Sequence, residues 1–318
     1  MDRHGNTISS RTNPRSTTGL VTFGNASGHD AAIAHYKIPK NPDALLREAH
    51  ELRRAAGIAD CVPGIHVIEV LDFDLEQNRL FTRFVEGTSS LFNYLWNRSG
   101  LLGSGRFHPL PLVEAGDRIG RWLKKYHESA AHDADPAAVL DVTCRSGLGK
   151  LRRLREIAPR FLDKATCDAL ARKFESPAVA DLSSYGLTTI HGDFTLANIP
   201  YNERGDLFVL DFTDTRVGFP FEDFVRCWHA VWNIATLSAV RNRRLKPLLD
   251  AFAAGYELPS EAPRTSLFQL LLIWNALTQI LTTFHIGRAT GFSSYLISLW
   301  LARANRRLIA RLLLDPKR

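Results

Sequence analysis

Short, mainly apolar runs separated by polar turns dominate the first quarter of the chain and are typical of β-strands. Between the second and third of these runs, apolar side chains recur at helical spacing from Leu45 to Ala56, which predicts an amphipathic helix. The predicted strands cover 20–23, 31–38, 65–73 and 79–85, and the predicted helix covers 44–56. This part of the chain should form a small sheet with one helix.

Helical periodicity replaces the strand pattern after Glu86-Gly87-Thr88, which we interpret as a hinge. The glycine-rich stretch 97–110 is predicted to be a loop. The predicted helices cover 114–130, 150–174 with a break at Pro159, 266–286 and 294–314. The predicted strands cover 187–190, 198–201 and 207–212, the last two joined by a turn at 202–205. The whole pattern predicts an α+β protein with a small sheet and a larger helical part.

The stretch 266–286 contains no Asp, Glu, Lys or Arg and is long enough to cross a bilayer. Polar side chains interrupt it at Gln269, Asn275, Thr278, Gln279, Thr282, Thr283 and His285. Polar side chains are costly in a lipid environment, so this stretch is predicted to be a buried helix of the larger part.

Residues 1–18 carry arginine, serine, threonine and asparagine without an apolar core. They lack the pattern of a secretory signal, and we predict a disordered tail. The four cysteines are scattered and show no paired spacing of a metal site. A reducing cytoplasm is therefore the expected location.

The most informative motif is His191-Gly192-Asp193, which is followed by Asn198 and by Asp211 at the end of an apolar run. Phosphoryl transfer from a nucleotide needs a residue that holds the attacking hydroxyl and oxygen ligands that hold magnesium. Asp193 suits the first task as catalytic base, and Asn198 and Asp211 suit the second. A capped turn is the alternative for Asp193 alone, but three matched positions favour a phosphotransfer site.

The His-x-Asp-x-x-x-x-Asn pattern at 191–198, with Asp211-Phe212 after it, resembles the aminoglycoside phosphotransferase and choline kinase superfamily. The resemblance implies a protein-kinase-like two-lobed fold and an enzyme that uses ATP and Mg²⁺. It implies an N-terminal nucleotide-binding lobe at 19–86 and a C-terminal catalytic and substrate-binding lobe at 87–318. It also implies that His191 supports the catalytic loop and that Asp223 braces this loop from the next helix.

The nucleotide-binding residues are expected in the first part of the chain. Lys37 ends a predicted strand and suits the nucleotide phosphates, while Glu48 on the following helix suits the orientation of Lys37. Glu51 remains an alternative to Glu48. Val85 lies in a strand-to-hinge passage that resembles the adenine-binding hinge of the family. The chain contains no Gly-x-x-x-x-Gly-Lys-Ser/Thr sequence, which excludes a P-loop enzyme.

The net charge of +7 is concentrated at the end of the chain. Residues 227–318 contain twelve Lys or Arg and four Asp or Glu, a net charge of +8, which leaves −1 for the preceding residues. A basic surface attracts anionic partners and repels cationic ones. The arginine stripe of the final predicted helix suits either peripheral contact with an anionic membrane or packing against its own domain.

The charge distribution bears on the hydroxyl acceptor. Aminoglycosides are polycations, so a basic final third favours a sugar, a sugar phosphate or an anionic glycolipid as the small-molecule acceptor. An aminoglycoside or other antibiotic O-phosphotransferase remains an alternative, as does a catalytically silent kinase-like binding module. No nucleic-acid-binding motif occurs, so no nucleic-acid partner is expected. The choice between ATP and GTP and the oligomeric state stay open.

Overall fold

The computed structural model describes residues 7–12, 16–23, 32–39, 42–100, 110–177, 179, 182–286 and 292–314. Its strands are β1 (Thr7–Thr12), β2 (Ser16–Phe23), β3 (Ala32–Pro39), β4 (Ile65–Val67), β5 (Val70–Asp74), β6 (Arg79–Arg83), β7 (Ser89–Ser90), β8 (Ala131–His132), β9 (Leu187–Ile190), β10 (Pro200–Tyr201), β11 (Leu207–Val209) and β12 (Arg216–Gly218). Its helices are α1 (Pro42–Ala59), α2 (Leu91–Ser99), α3 (Leu112–Glu128), α4 (Pro136–Ile157), α5 (Lys164–Glu175), α6 (Phe221–Ala235), α7 (Ala239–Gly255), α8 (Ser266–Ile286) and α9 (Phe292–Leu314). The predicted α+β organisation is confirmed.

The first sheet is antiparallel and has the strand order β1-β2-β3-β6-β5. Its own apolar cluster is small and consists of Val21, Ala34, Tyr36 and Phe81. Lys37 lies opposite Thr18 on one neighbouring strand and Leu80 on the other. The sheet therefore holds this lysine on a strand with a partner on both sides.

The prediction of a disordered tail at 1–18 is wrong for the described part of that segment. Thr7–Thr12 forms β1 and pairs antiparallel with β2, which begins at Ser16. Threonine and serine make up much of β1 and β2 without a strong apolar period, but β-branched residues are common in strands. Backbone hydrogen bonds between β1 and β2 hold this segment in the sheet, although its apolar pattern did not predict a strand.

The predicted strand 65–73 is divided in the structure. Ile65–Val67 forms β4 and pairs in parallel with β11, in a second sheet of order β4-β11-β10-β7. Val70–Asp74 forms β5 and remains in the first sheet. Strands on the two sides of the predicted hinge are therefore hydrogen-bonded to each other.

Helix α1 faces the main core of the molecule. Its buried side chains Leu45, Ala49 and Leu52 belong to the large apolar cluster that also contains the helices of the second part. Glu48 lies on the same face and is only 3% exposed. The amphipathic pattern therefore places a carboxylate between the first sheet and the main core.

An aromatic stack supports the loop that carries the motif. Trp122 on α3 stacks on Phe194 with ring centroids 5.7 Å apart, and it lies edge-on to Phe212 at 6.5 Å. Helix α3 packs closely on α7, since a Cβ at Gly120 would meet the backbone of Phe252 and Tyr256. The motif loop, through Phe194, and the segment after Asp211, through Phe212, thus pack on the same helix α3.

Helix α8 is mainly buried, with Leu270, Leu271, Ile273, Ala276, Leu277 and Ile280 at 1% exposure or less. Among the described residues, one helix segment, Ser266–Phe284, is long and apolar enough to cross a membrane. Core helices of soluble proteins pass the same test, and 67% of this window is buried inside the protein. The prediction of a buried helix is confirmed.

Helix α9 is joined to α6 by polar side chains. His229 Nε2 lies 2.7 Å from Asn305 Oδ1, and Asn305 Nδ2 donates to Asn233 Oδ1 at 2.8 Å. All three residues are buried. The final helix therefore packs against its own domain along this face.

The predicted loop at 97–110 is wrong at its start, since α2 continues to Ser99. Ser90 caps this helix by accepting a hydrogen bond from the Asn93 N–H. Residues 101–109 lie outside the described residues.

Candidate active site

The motif begins at the end of β9, where Ile190 is fully buried. Gly192 follows with a φ of +78°, and a Cβ there would meet the carbonyl of Asp214. Only glycine fits such a turn without strain. The backbone N–H groups of His191 and Gly192 donate to the Asp223 carboxylate at 2.6 and 2.9 Å. Asp223 thus lies where the sequence predicted a brace for this loop.

Asp223 is itself held by further donors. It is fully buried, and His127 Nε2 lies 3.2 Å from its Oδ2, while His127 Nδ1 contacts the Tyr256 hydroxyl at 2.9 Å. Burial alone would raise the pKa of the Asp223 carboxyl, but the contacts from His127 and His191 outweigh it and the pKa is lowered. The carboxylate therefore stays ionised inside the core.

His191 connects the motif to the segment that carries Asp211. Its Nδ1 accepts a hydrogen bond from the Asp193 N–H at 3.3 Å, so Nε2 carries the proton and donates to the Leu210 carbonyl at 2.9 Å. The ring is fully buried. Its contacts are those of a supporting residue, in keeping with the predicted role.

Asp193 has a polar partner on each carboxylate oxygen. Asn198 Nδ2 donates to Oδ2 at 3.1 Å and to the Asp193 backbone carbonyl at 2.9 Å. Arg226 Nη1 donates to Oδ1 at 2.7 Å. The Asp193 side chain is 34% exposed. The carboxylate is thus oriented by two neighbours and still accessible to a small molecule.

Asp211 lies two residues beyond β11 and has a φ of 63°. Non-glycine residues seldom occupy this region, and those that do cluster at functional sites. Its Oδ1 accepts hydrogen bonds from Lys37 Nζ and Thr213 Oγ1, both at 2.6 Å. Burial opposes ionisation, but Lys37 outweighs it and lowers the pKa of Asp211 to about 2.

Lys37 lies at the centre of a closed network of opposite charges. Its Nζ donates to Glu48 Oε1 at 2.8 Å, to Asp211 and to Thr213. Burial alone would lower the pKa of Lys37, but Glu48 and Asp211 outweigh it and raise the pKa. Glu51, the alternative partner, instead contacts Arg54 at 2.8 Å. Glu48, and not Glu51, is therefore the helix residue that pairs with Lys37.

A cavity of about 360 Å³ lies between the first sheet and the second part of the protein. It is lined by Thr18, His35, Lys37, Glu48, Leu52, Ile68, Leu80, Thr82, Arg83, Phe84, Val85, Thr88, Asn198, Pro200, Phe208, Leu210 and Asp211. Apolar atoms form most of its lining surface, and the charged side chains of Lys37, Glu48 and Asp211 lie together in it. Such a lining suits a ligand with an apolar ring and a charged end.

The cavity brings together five of the residues that the sequence singled out: Lys37, Glu48, Val85, Asn198 and Asp211. Val85 lies at the hinge, and its carbonyl accepts a hydrogen bond from the Thr88 hydroxyl at 3.1 Å. Asp193 does not line the cavity but contacts Asn198, which does. The catalytic-base candidate therefore lies beside the charged end.

Sequence reasoning missed Arg226, Thr213 and His127. Arg226 lies one turn after Asp223 on α6 and donates to Asp193, and this spacing was the signal that could have identified it.

The oxygens of Asn198 and Asp211 are the predicted metal ligands. Within the residues that the structure describes, no group of three or more His, Cys, Asp or Glu could hold a metal by itself.

Solved structures that are similar to the protein share its fold at low sequence identity. A glucosamine kinase has a TM-score of 0.58 at 12% identity, over 97% of this chain and 95% of that one. A Plasmodium vivax ethanolamine kinase has a TM-score of 0.57 at 13% identity, over 93% and 81%. The macrolide 2'-phosphotransferase MphH from Brachybacterium faecium has a TM-score of 0.51 at 16% identity, over 98% and 93%. The predicted kinase-like two-lobed fold is confirmed.

A search of curated protein sequences gives no match. A sequence model of the phosphotransferase enzyme family matches residues 23–267, which include strands β3, β5 and β6 of the first sheet, the motif and Asp223. The resemblance to aminoglycoside phosphotransferases and choline kinases is thereby confirmed. Because the match covers more than half of the chain, the protein belongs to the phosphotransferase enzyme family.

Proposed function

We propose that the protein transfers the γ-phosphoryl group of ATP to a hydroxyl group of a small molecule, with Mg²⁺. The observation that carries this proposal is the position of Asn198, which lines the cavity next to Asp211 and also contacts Asp193. A nucleotide phosphate at the charged end of the cavity would therefore lie close to a carboxylate that is open to an acceptor.

The cavity suits ATP in both shape and charge. Leu52, Ile68 and Leu80 supply an apolar surface for the adenine, and the backbone at Val85 supplies polar groups at its edge. Lys37 supplies a positive charge for the phosphates. Glu48 and Thr213 accept hydrogen bonds from this amine before any ligand binds, so little reorganisation is needed on binding.

The donor set around Asn198 and Asp211 fits Mg²⁺, which prefers oxygen ligands and shares them with nucleotide phosphates. Asn198 directs its amide nitrogen to Asp193, which leaves its amide oxygen for a metal. Asp211 is ionised, since Lys37 lowers its pKa to about 2. Bound Mg²⁺ would neutralise negative charge on the β- and γ-phosphates.

Asp193 acts as the catalytic base in this proposal. The acceptor hydroxyl donates a hydrogen bond to the carboxylate, its oxygen forms the new bond to the γ-phosphorus, and the bond to ADP breaks. The hydroxyl proton passes to Asp193. Arg226 and Asn198 fix the orientation of the carboxylate, which aims the hydroxyl and limits the number of unproductive poses.

The acceptor is proposed to be a sugar, a sugar phosphate or an anionic glycolipid, and the protein to act in the cytoplasm. The excess of positive charge in residues 227–318 supports this choice, because it disfavours polycationic acceptors. An aminoglycoside acceptor would be supported instead by phosphorylation of kanamycin-like compounds at micromolar KM.

The test measures ADP formation and product mass with Mg-ATP and a panel of alcohols and sugars. Asp193→Asn should lower turnover by about 10² to 10⁴, while Asp250→Asn, an exposed control on α7, should leave it unchanged. Thermal unfolding should show stabilisation by ATP that depends on Mg²⁺ and is reduced in Asp211→Asn. No turnover that depends on Asp193, together with a metal-independent thermal shift, would overturn the proposal.

A further inference from the structure

A tryptophan next to the candidate active site is flanked by two cations. Trp274 on α8 is fixed by its Nε1–H, which donates to Ser146 Oγ on α4 at 3.2 Å. Lys150 Nζ lies 4.2 Å from the centroid of the Trp274 rings, and Arg226 Cζ lies 5.2 Å from it. We call Lys150, Arg226 and Trp274 the cation–Trp cluster. Both cations are within the range of attraction to an aromatic face.

The cation–Trp cluster adjoins the catalytic-base candidate, because Arg226 also donates to Asp193 at 2.7 Å. A small cavity of about 10 Å³ lies beneath it, lined by Gly192, Arg216, Glu222, Asp223, Arg226, Leu271, Trp274 and Asn275. This space holds about one water molecule. The cavity is too small for an acceptor, so an acceptor at Asp193 must lie outside it. Trp274, Arg226 and Lys150 are each only partly buried.

The cluster carries more positive charge than its surroundings neutralise. Arg226 pairs with Asp193, but in the described part of the chain no carboxylate lies within 4.0 Å of Lys150 Nζ. Glu222 lines the neighbouring cavity but is paired with Arg216 at 2.6 Å. Burial, and then the nearby charge of Arg226, lower the pKa of Lys150. A partly buried cation without a counter-ion is costly, and an anionic ligand would relieve this cost.

We propose that Lys150 and Arg226 bind an anionic group of the acceptor, a phosphate or a carboxylate, while Trp274 holds the two cations in position. This inference rests on the proposed phosphoryl transfer and specifies its substrate class as hydroxyl compounds that carry an anionic group a few bonds from the reacting hydroxyl. Because Arg226 contacts Asp193, an anionic group on Arg226 would lie close to the reacting hydroxyl at Asp193. Polycationic acceptors are disfavoured by like charge at this position.

The experiment compares neutral hydroxyl compounds with anionic counterparts. The pairs are glucose with glucose 6-phosphate, glucose with glucuronate, and glycerol with glycerol 3-phosphate. Dissociation constants are measured by calorimetry with the nucleotide site saturated by Mg²⁺ and a non-hydrolysable ATP analogue, and kcat/KM is measured with Mg-ATP. The phosphate and carboxylate members separate the two anionic groups.

Three variants test whether Lys150 causes the preference for anionic compounds. Lys150→Gln should weaken binding of the preferred anionic compound roughly tenfold to hundredfold, the range for one charge-assisted hydrogen bond, and leave its neutral counterpart unchanged. Lys150→Arg should retain most of the preference, which separates charge from folding. Arg152→Gln, an exposed residue of α4, removes the same charge from the same helix and should have no effect.

The inference is overturned if no anionic compound binds at least tenfold more tightly than its neutral counterpart. It is equally overturned if Lys150→Gln weakens both members of a pair alike. Failure of the proposed function gives a different result: anionic compounds bind in a Lys150-dependent manner, but Mg-ATP supports no turnover that depends on Asp193. The two outcomes are therefore distinguishable in one set of measurements.

Discussion

The nucleotide side and the acceptor side of the candidate active site use cations in opposite ways. On the nucleotide side, Lys37 is in contact with both Glu48 and Asp211, so its positive charge is fully paired inside the protein. On the acceptor side, Arg226 is paired with Asp193, but no carboxylate of the described residues lies within 4.0 Å of Lys150 Nζ. A paired cation stays in place without a ligand, whereas an unpaired cation favours a ligand of opposite charge.

Burial separates the two cation pairs. The side chains of Lys37 and Glu48 are 12% and 3% exposed, whereas those of Arg226 and Asp193 are 19% and 34% exposed. The Lys37–Glu48 pair is therefore enclosed, while Asp211, at 45% exposure, is as open as Asp193 or more so. The acceptor side keeps its carboxylate within reach of solvent, as a site for different small molecules requires.

The largest expected effect is a loss of stability on replacement of Asp223, which supports both sides of the site. Asp223→Ala should lower the free energy of unfolding by about 3 to 5 kcal/mol, because it leaves buried donors of His191, Gly192 and His127 without their acceptor. Urea denaturation measures this change, with the exposed residue Asp250→Ala as control. A loss below about 1 kcal/mol would contradict the role of Asp223 as a common support.

Lys37→Met tests whether the two sides are independent. It should lower kcat/KM for ATP by about 10² to 10³, since it removes a positioned charge that faces the phosphates. Lys150→Gln should leave the KM for ATP unchanged. Initial rates at varied ATP concentration measure both, and Lys246→Met on the exposed face of α7 is the control. An equal rise in KM for ATP in both variants would remove the distinction between the two sides.

Low pH should lower the stability of the protein through His229 on α6, the helix that carries Arg226. Burial lowers the pKa of His229 on α6 from 6.5 to about 4, so the folded state binds fewer protons than the unfolded state between these values. Stability should therefore fall as the pH drops from 6.5 to about 4, by roughly 3 kcal/mol in total.

Chemical denaturation across this pH range measures the acid effect on His229. His229→Gln removes the titrating group that contacts Asn305, and it should flatten the pH dependence. An unchanged slope in this variant would place the acid sensitivity elsewhere in the molecule.

The smallest effects are expected from two matched hydroxyl deletions. Thr213→Val removes the hydroxyl that accepts a hydrogen bond from Lys37 and lies within donating distance of Glu48 and Asp211, and Ser146→Ala removes the bond to Trp274. Each should cost about 0.5 to 1.5 kcal/mol. Thr213→Val should weaken ATP binding, and Ser146→Ala should weaken binding of the anionic acceptor. Calorimetric titration of both ligands against both variants measures this, and loss of the same ligand in both variants would contradict the comparison.

The parts of the site that were predicted are those that local spacing determines. His191, Asp193 and Asn198 lie within one loop, and a buried strand leads into the loop while a hairpin follows it. Glu48 was predicted because its helix face is fixed by the apolar positions around it. Their assigned roles in binding and catalysis stay predictions.

The parts that were missed depend on contacts between distant segments. Lys150 and Trp274 meet only because α4 and α8 pack together, and neither residue carries a local signal. The pairing of β4 with β11 and of β1 with β2 depends on backbone hydrogen bonds, which side-chain patterns specify weakly. Their register could not be derived from the apolar pattern.

The pairing of β4 with β11 has a consequence for protein engineering. Ile65–Val67 belongs by sequence to the first part of the chain, but it forms a sheet with the strand that leads to Asp211. The nucleotide side is therefore not a continuous cassette that can be exchanged between relatives as one fragment. A functional chimera must keep Ile65–Val67 from the recipient while the segments on both sides of it come from the donor.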